Sequence, residues 1–230
     1  MAGKDHSGNG DREADRLAPE FELRDARVSF GGVAALRGVD LTVERGDLHC
    51  LTGPNGSGKT TLLSVLLGLR RLDGGTVERR PPSVGCSFQR PSVYPGLTVA
   101  ENLRVFAAFG DASEDWLARL RSALGLDAVA DRRVNRLSGG YRVLLDVALA
   151  FVGQPASVLL DEPLRSLDDR ARDRLVAFLA EYHSPARTVL VSTHRLEPFE
   201  PGFDRVTVLE DGEVVLDERP DGSGETRRES

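Results

Sequence analysis

The stretch Gly53-Pro-Asn-Gly-Ser-Gly-Lys-Thr-Thr61 decides the fold of this chain. An apolar run, residues 48–52, precedes it, and a helix-like run, residues 62–69, follows it. A strand, a glycine loop and a helix in this order, with the G-x-x-x-x-G-K-[ST] spacing, are typical of a phosphate-binding loop. The glycines let the backbone curl so that successive N–H groups point inward at the positive end of the helix.

The residue types of this loop match the chemistry of a nucleoside triphosphate. Lys59 is placed to reach the β- and γ-phosphates, and the Thr60 hydroxyl is placed to ligate Mg²⁺. The chain has 30 Lys and Arg residues, yet its lysines are Lys4 and Lys59, and a compact ammonium suits a phosphate cradle better than a guanidinium fork. The alternative is a chance glycine-rich turn, which the strand and helix context disfavours. We therefore predict nine nucleotide-binding residues here: Gly53, Pro54, Asn55, Gly56, Ser57, Gly58, Lys59, Thr60 and Thr61.

Composition limits the classes of protein to which the chain can belong. The 230 residues are 40% hydrophobic and 29% charged, which is ordinary for a soluble globular protein with a substantial core. The formal net charge of −6 leaves no global basic field, so no nucleic-acid partner is expected. No apolar run approaches the roughly 18 residues that span a bilayer, and the N-terminus lacks an apolar signal core. These features predict a cytoplasmic protein that reaches the cytoplasmic face of a membrane through a partner subunit.

The chain is predicted to hold one domain between two polar tails. Residues 1–19 have almost nothing to bury and are expected to be disordered, and residues 218–230 form a second polar tail. The domain spans residues 20–217 and contains a small helical insert at about residues 97–137. Cysteine usage fits a reducing compartment, because Cys50 and Cys86 fall in apolar strand-like runs and are predicted to be buried reduced thiols.

Two kinds of strand pattern are present in this domain. Residues 21–30 and 39–43 alternate between apolar and polar side chains, which indicates antiparallel strands covered on one face. Residues 157–160 and 188–192 are continuously apolar, as expected for the centre of a parallel sheet. Asp211-Gly212 between two strand-like runs is a strong hairpin signal.

Helix starts are marked by residues that suit N-cap positions. Thr98 begins a capping box with Glu101, and Ser113 precedes two acidic residues that favour the positive end of a helix. Ser138 and Asp168 are predicted caps of two further helices. In the first of these, residues 139–152, Arg142 and Asp146 are spaced to pair across one turn.

Two adjacent carboxylates, Asp161 and Glu162, follow an apolar strand-like run. That position corresponds to the carboxyl end of a parallel strand, where α/β sheets place their sites. Adjacent side chains point to different sides, which permits different roles. Asp161 is predicted to hold Mg²⁺, directly or through water, and Glu162 to orient and deprotonate an attacking water. The alternative is a strand end that is acidic without any chemical role.

Several short motifs together resemble those of ATP-binding-cassette (ABC) ATPases. Leu137-Ser-Gly-Gly140 resembles the signature motif, Asp161-Glu-Pro163 the second nucleotide motif, and Ser166-Leu-Asp168 the following D-loop. Gln89 and His194 stand where the family has its Q-loop glutamine and its switch histidine. With the strand and helix patterns, the resemblance implies an α/β fold: a phosphate-loop NTPase core with a mostly parallel central sheet, an antiparallel β subdomain and a small helical insert.

The resemblance also implies roles for residues outside the phosphate loop. Ser138, Gly139 and Gly140 form a hydroxyl and amide cluster at a helix N-terminus, which suits a γ-phosphate, and in the family it caps the nucleotide of the opposite subunit. Gln89 is expected to touch Mg²⁺ or the attacking water, and His194 to contact the γ-phosphate. The alternatives are an ordinary helix cap, a solvated loop glutamine and a structural histidine.

Aromatic residues divide into one candidate ligand contact and a packing group. Phe30 resembles the aromatic residue of the family that stacks on adenine, although a buried Phe at a strand end is the competing interpretation. Trp116, Phe106 and Phe109 are predicted to pack within the helical insert.

The chain departs from the family pattern at several positions. Tyr141 replaces the usual signature glutamine, Leu164 the usual threonine or serine, and Arg195 the common aspartate after the switch histidine. Val143, Leu144 and Leu149 stand where the family often has polar or basic residues. These departures concern the rate and the finer contacts, and the chemistry-bearing set is retained: Lys59, Asp161, Glu162 and His194.

The motif set implies the reaction ATP + H₂O → ADP + phosphate at composite sites between two ATPase subunits, with a homodimer expected. Work would pass through the loop that contains Gln89 into an integral membrane permease subunit. The predicted function is therefore the ATPase subunit of an ABC transporter, and residues 101–109 resemble small bacterial exporter ATPases. Two alternatives remain open: an ABC ATPase that acts as a soluble assembly or regulatory scaffold without transport, and a nucleic-acid-acting ABC protein, which the net charge disfavours.

Overall fold

Two β-sheets form the framework of the protein, whose computed structural model describes residues 18–109, 112–194 and 202–220. The strands of the smaller sheet are β1 (Phe21–Phe30), β2 (Val33–Val43) and β4 (Gly74–Arg79), and those of the larger sheet are β3 (Leu48–Thr52), β5 (Val84–Ser87), β6 (Ser157–Asp161), β7 (Thr188–Thr193), β8 (Arg205–Glu210) and β9 (Glu213–Glu218). The smaller sheet is antiparallel with the order β2-β1-β4. The larger sheet has the order β5-β6-β7-β3-β8-β9 and is parallel except for the β8–β9 pair.

Five α-helices in the described ranges pack on these sheets. They are α1 (Lys59–Leu66), α2 (Val99–Ala107), α3 (Glu114–Ala123), α4 (Gly139–Phe151) and α5 (Asp169–Tyr182). Short 3₁₀ turns, Asp127–Val129 and Val134–Arg136, complete the helical insert between β5 and α4. The predicted α/β fold, with its mostly parallel central sheet, antiparallel subdomain and helical insert, is confirmed.

Three buried parallel strands position the chemistry-bearing residues. Every residue of β3, β6 and β7 is buried, as their continuous apolar runs predict. Thr52 pairs with Thr193, and Asp161 pairs with Ser192, so the three strands end at the same edge of the sheet. The residues that follow these ends therefore meet.

Two apolar cores lie on opposite faces of the larger sheet. One core lies among α2 to α5, where the rings of Phe151 and Tyr182 meet edge to face at 4.6 Å between centroids. Trp116 joins this core and donates its indole N–H to the carbonyl of Phe151 at 2.9 Å, which confirms its packing role. The second core lies between the sheets around Leu62 and Leu66 of α1.

All four predicted N-caps are present. The side chains of Ser113, Ser138 and Asp168 each accept a hydrogen bond from the backbone N–H three residues later. Thr98 and Glu101 form a complete capping box, because each side chain accepts from the backbone N–H of the other residue.

Replacing Thr98 by Ala is expected to lower the free energy of unfolding by about 1 kcal/mol, because the N–H of Glu101 loses its acceptor. Urea denaturation of the two proteins measures this difference. Thr98→Ser retains a hydroxyl and is expected to stay close to the original stability. Equal midpoints for the Ala variant and the original protein would contradict the importance of the cap.

Asp146 does not pair with Arg142, so this prediction is wrong. The Asp146 carboxylate accepts a hydrogen bond from Ser87 Oγ at 2.6 Å, while Arg142 donates to the carbonyl of Leu137 at 3.2 Å. The physical reason is that α4 is buried along most of its length. Asp146 therefore faces β5 rather than the helix surface.

Of the predictions about burial, that for Cys50 is confirmed and those for Cys86 and Phe109 are wrong. Cys50 is a buried free thiol, and burial, reinforced by the charge of Glu162, raises its pKa to about 12. Cys86 is a free thiol but is exposed, because β5 is an edge strand of its sheet. Phe106 lies partly buried against the core, but Phe109 follows the end of α2 and is 86% exposed, so it does not pack.

The domain limits, residues 20 and 217, stay a prediction. Most of the expected tails, residues 1–17 and 221–230, lie outside the described residues, as does Arg195. No helix in the described part of the chain has the length and apolarity that crossing a bilayer requires.

Candidate functional site

A cleft of about 720 Å³ opens where β3, β6 and β7 end. Its walls include Asn55 and Gly56 of the phosphate loop (residues 53–61), together with Gln89, Glu162 and His194. These residues come from four separate parts of the chain, and the parallel sheet brings them together. The structure therefore places the predicted phosphate loop, Q-loop glutamine, acid and histidine around one cavity.

Close backbone contacts require the first and last glycines of the phosphate loop. Gly53 has φ +141°, and a Cβ added to it would lie 2.0 Å from the carbonyl oxygen of Leu209. Gly58 has φ +109°, and its added Cβ would lie 2.5 Å from the carbonyl oxygen of Ala35. Any larger residue would displace the loop at either position. The loop thus closes tightly against β2 and β8 before α1 begins.

The Lys59 side chain folds back over this loop. Its Nζ donates to the carbonyl oxygens of Gly53 at 2.7 Å and Pro54 at 3.0 Å, and the side chain is buried. The ammonium lies 3.8 Å from Glu162 Oε1. A single positive charge is therefore held between the loop backbone and the acid at the end of β6. Ser57 is also buried, Thr61 is half-buried, and Asn55 and Gly56 are exposed to the cleft.

Oxygen ligands gather around Thr60 at the start of α1. The Thr60 hydroxyl donates to Asp161 Oδ2 at 2.7 Å and accepts from Gln89 Nε2 at 3.3 Å. Asp161 is buried and also accepts from Ser192 Oγ at 2.6 Å. Hydroxyl and carboxylate oxygens are donors that Mg²⁺ prefers, whereas Gln89 turns its amide nitrogen to Thr60 and its Oε1 to Arg165. In the described residues no group of three or more His, Cys, Asp or Glu is arranged to hold a metal ion, so protein carboxylates alone do not build a metal site.

Glu162 is held in a strained backbone conformation. It is buried, and its φ of +53° lies in the left-handed region, which is uncommon for a residue with a side chain. Its N–H is held by the carbonyl and hydroxyl oxygens of Ser192, at 3.1 and 3.0 Å. Oε1 is buried without a hydrogen-bond donor among the described residues. Backbone strain and a spare carboxylate oxygen are both features of functional positions.

His194 contacts the second carboxylate oxygen. Its Nδ1 lies 2.7 Å from Glu162 Oε2, and the ring remains partly exposed to the cleft. Because an ionised carboxylate only accepts hydrogen bonds, Nδ1 carries the proton in this contact and Nε2 is left available. The histidine thus fixes the direction in which Glu162 points, a contact that its sequence position did not predict.

Ser192 is a site residue that the sequence analysis missed. Its side chain joins the Asp161 carboxylate to the Glu162 backbone, since its hydroxyl donates to Asp161 Oδ1 and accepts from the N–H of Glu162. It is fully buried in β7. A serine in an otherwise apolar strand pattern was the available signal, because a buried hydroxyl needs polar partners.

The signature residues lie outside the main cleft. Ser138, Gly139 and Gly140 line a separate cleft of about 330 Å³, which Tyr141 and Ser166 also border. Ser138 caps α4 through its hydroxyl, as the plain alternative predicts. Within one chain, the structure does not bring these three residues to the phosphate loop.

Phe30 is 49% exposed at the end of β1, which excludes its interpretation as a core residue. The Arg70 guanidinium lies over its ring, with the guanidinium carbon 4.3 Å from the ring centroid. Arg70 also donates to the carbonyl of Ser29 at 3.1 Å. One face of the ring is therefore occupied by a cation that holds it in place.

The apolar departures from the family pattern have a packing explanation. Leu164 is buried, and so are Leu144 and Leu149 of α4. Val143 packs against the same core while partly exposed. These residues fill the space between α4 and its neighbours. Of the four, Leu164 also lines the main cleft.

Comparisons with known proteins agree with this geometry. A family model described as ABC transporter matches residues 36–165. The Nod factor export ATP-binding protein I of Burkholderia lata is 35% identical over 219 residues, which cover 89% of this chain and 72% of that protein. A daunorubicin resistance ATP-binding protein of Streptomyces coeruleorubidus is 36% identical over 208 residues, covering 84% of this chain and 65% of that protein. An Fe(3+) ions import ATP-binding protein of Streptomyces avermitilis is 37% identical over 215 residues, covering 87% and 62%.

Solved structures show the same arrangement of elements. A dimeric post-hydrolysis state of an ATP-binding cassette bound to ADP and Pi matches with a TM-score of 0.77 and 26% identity, covering 88% of this chain and 99% of that one. A dimeric bacterial ABC transporter cassette matches with a TM-score of 0.78 at the same identity and coverage.

Proposed function

The chain belongs to the ABC transporter family as an ATP-hydrolysing subunit, and from this premise we propose which residues carry out the hydrolysis and with which partners. The observation that carries the proposal is that Glu162, which lines the cleft, lies 3.8 Å from the Lys59 ammonium, while the adjacent residues Thr60 and Asp161 are hydrogen-bonded to each other. The reaction is ATP + H₂O → ADP + phosphate. A water attacks the γ-phosphorus, its proton passes to a base, and the bond to the β-phosphate oxygen breaks.

Glu162 is proposed as the base that takes the proton from the attacking water. Its Oε1 has no other donor in the described residues, and Oε2 is held by His194 at 2.7 Å. A carboxylate with one oxygen anchored and one oxygen spare can accept a proton without moving. His194 is proposed to contact the γ-phosphate through Nε2 and to keep Glu162 oriented.

The phosphate loop is proposed to bind the triphosphate. Its backbone N–H groups and the positive end of α1 attract the anionic oxygens of the triphosphate. The first turn of α1 has no acidic residue that would repel these oxygens. Lys59 is already directed into the loop, so its ammonium can exchange carbonyl oxygens for the β- and γ-phosphate oxygens.

Magnesium fits the residues around Thr60. The Thr60 hydroxyl and Asp161 carboxylate are 2.7 Å apart, and the Gln89 amide reaches the same hydroxyl. We assign Thr60, Gln89 and Asp161 as its protein-side ligands, directly or through water, with phosphate oxygens of ATP supplying others. When bound, the ion would neutralise charge on the β- and γ-phosphates.

A second ATPase subunit, expected to be an identical chain, is proposed to complete each site. Ser138, Gly139 and Gly140 line a cleft separate from the one at their own phosphate loop, and they would grip the γ-phosphate held by the partner subunit. The two structural neighbours described above are dimers, one of them bound to ADP and Pi, which supports this arrangement.

Export through an integral membrane permease subunit is the proposed biological role. The Nod factor export and daunorubicin resistance relatives support export. The relative named for iron import shows that a similar chain serves transport in the other direction. The protein would then be peripheral on the cytoplasmic face of the membrane. Detergent extraction and co-purification of the tagged full chain tests the role, because a transporter subunit is recovered with an integral membrane protein. Recovery with soluble proteins alone would favour the assembly or regulatory scaffold.

Replacing Phe30 by Ala is expected to weaken ATP binding about tenfold, because stacking of a base on an aromatic ring contributes on the order of 1–3 kcal/mol. Calorimetric titration measures the Kd. Phe109→Ala is the matched control, since this ring is 86% exposed beyond the end of α2. Inorganic tripolyphosphate, which has no base, should bind both variants as it binds the original protein. An unchanged Kd for ATP in Phe30→Ala would remove the stacking role.

A further inference from the structure

The loop that carries Gln89 is tied to α4 by a buried carboxylate. Asp146, which is 4% exposed, accepts hydrogen bonds from Ser87 Oγ and from the backbone N–H of Ser92, both at 2.6 Å. Its pKa is raised by burial, an effect that hydrogen bonds from Ser87, Ser92 and Phe88 oppose. The carboxylate therefore holds the loop on both sides of Gln89.

The side chain of Gln89 has little of its own to hold it. It is exposed, and its amide contacts Thr60 Oγ1 at 3.3 Å and Arg165 at 3.4 Å, both long for hydrogen bonds. The position of this amide over Thr60 thus depends on the backbone of the loop. The hydrogen bonds that Ser87 Oγ and the Ser92 N–H donate to Asp146 hold that backbone to α4.

The helix that bears Asp146 is itself pressed against β5. A Cβ added to Gly85 would lie 1.9 Å from the carbonyl oxygen of Ala150, so strand and helix are in direct backbone contact there. Asp146 lies eight residues after Ser138, which corresponds to about 12 Å along α4. The loop of Gln89 and the helix that presents Ser138 and Gly140 therefore form one packed unit.

We propose that Asp146 is a positioning residue for hydrolysis: through Ser87 and Ser92 it keeps the Gln89 amide at Thr60 and joins this loop to the helix of the signature residues. The proposal rests on the assignment of the site to ATP hydrolysis. Asp146 touches neither nucleotide nor water in this role. Its effect is on the geometry that Gln89 provides, and a displacement of about 1 Å is sufficient to slow an enzymatic step severely.

Steady-state ATPase kinetics of the full chain test the proposal. Asp146→Ala is expected to lower kcat about tenfold while the KM for ATP and the Kd for an unhydrolysed ATP analogue change less than twofold. Asp146→Asn retains an acceptor for the Ser92 N–H and is expected to keep at least half of the original kcat. Asp47→Ala is the matched control, because Asp47 is also a buried aspartate. It binds Arg219 just before β3, at the end of that strand opposite the phosphate loop. A similar loss of kcat in Asp47→Ala would overturn the proposal.

A double variant of Asp146 and Gln89 distinguishes a positioning role of Asp146 from a merely structural one. Asp146→Ala combined with Gln89→Ala should be no slower than Gln89→Ala alone, because both changes remove the same contact. If the double variant lost kcat by the product of the two single losses, the proposal would be overturned. If the original protein neither bound nor hydrolysed ATP, the assigned function would fail instead, which is a distinct result.

A second pair of variants leaves α4 and the core untouched. Ser92 is exposed, and Ser92→Pro deletes the N–H that donates to Asp146, whereas Ser92→Ala keeps it. Ser92→Pro should lose kcat as Asp146→Ala does, and Ser92→Ala should not. Hydrogen exchange of the nucleotide-free proteins gives a readout independent of activity: residues 87–92 should exchange faster in Asp146→Ala. Original kcat in Ser92→Pro, or unchanged exchange in Asp146→Ala, would overturn the proposal.

Discussion

Glu162→Gln is expected to bind Mg-ATP with its original affinity and to hydrolyse it roughly 100-fold more slowly or worse. The amide has the size of the carboxylate but cannot accept the proton of the attacking water. Glu162 lines the cleft, and its Oε1 lacks a hydrogen-bond donor in the described residues, so the carboxylate is free to accept that proton. Phosphate release under single-turnover conditions measures the rate, and calorimetry measures the affinity.

The same variant should accumulate an ATP-dependent dimer. If two ATP molecules hold two chains together, blocked hydrolysis leaves the interface closed, which size-exclusion chromatography with ATP would detect. Glu20→Gln is the matched control, because Glu20 is also buried but lies next to Arg45 at the start of the smaller sheet. Near-normal turnover in Glu162→Gln would exclude Glu162 as the base.

Lys59→Ala is expected to weaken the binding of Mg-ATP by on the order of 10- to 100-fold, because hydrogen bonds to charged groups contribute about 1.5–3 kcal/mol. The ammonium is buried in the loop and is held 2.7 Å from the carbonyl oxygen of Gly53. No other lysine lies in the described residues to replace it. Calorimetric titration with Mg-ATP is the appropriate measurement.

Lys59→Arg distinguishes charge from shape. The guanidinium keeps the positive charge but is broad and planar, and the loop is closed tightly at Gly53 and Gly58, so affinity should fall here as well. Recovery of the original affinity in Lys59→Arg would show that charge is sufficient. Unchanged ATP binding in Lys59→Ala would contradict the phosphate cradle itself.

Chemistry encoded in short stretches was predictable because neighbouring residues act on the same local backbone. The nine-residue glycine loop between a strand and a helix predicts its own conformation, and the capping box of Thr98 and Glu101 forms as its spacing indicates. Continuous apolar runs predicted β6 and β7 as buried parallel strands, and the acids at the end of β6 followed from that. Each of these inferences needed one short stretch of consecutive residues.

Side-chain partners that lie far apart in the chain were not predictable in this way. Helical spacing suggested Arg142 as the partner of Asp146, whereas packing of α4 against β5 gives it Ser87 and Ser92 instead. Cys86 resembles a buried strand residue, yet its strand is at the edge of the sheet.

Local residue patterns were therefore sufficient for the phosphate loop, the carboxylates and the class of fold, since periodicity and turn chemistry report contacts within one element. Tertiary structure decided the rest: that Ser192 joins Asp161 to Glu162, that Arg70 covers one face of Phe30, and that Ser138 lies away from its own phosphate loop. These arrangements depend on strand order and on how helices pack across the sheet. No short stretch of sequence encodes them, because the contacts that select them join residues more than a hundred positions apart.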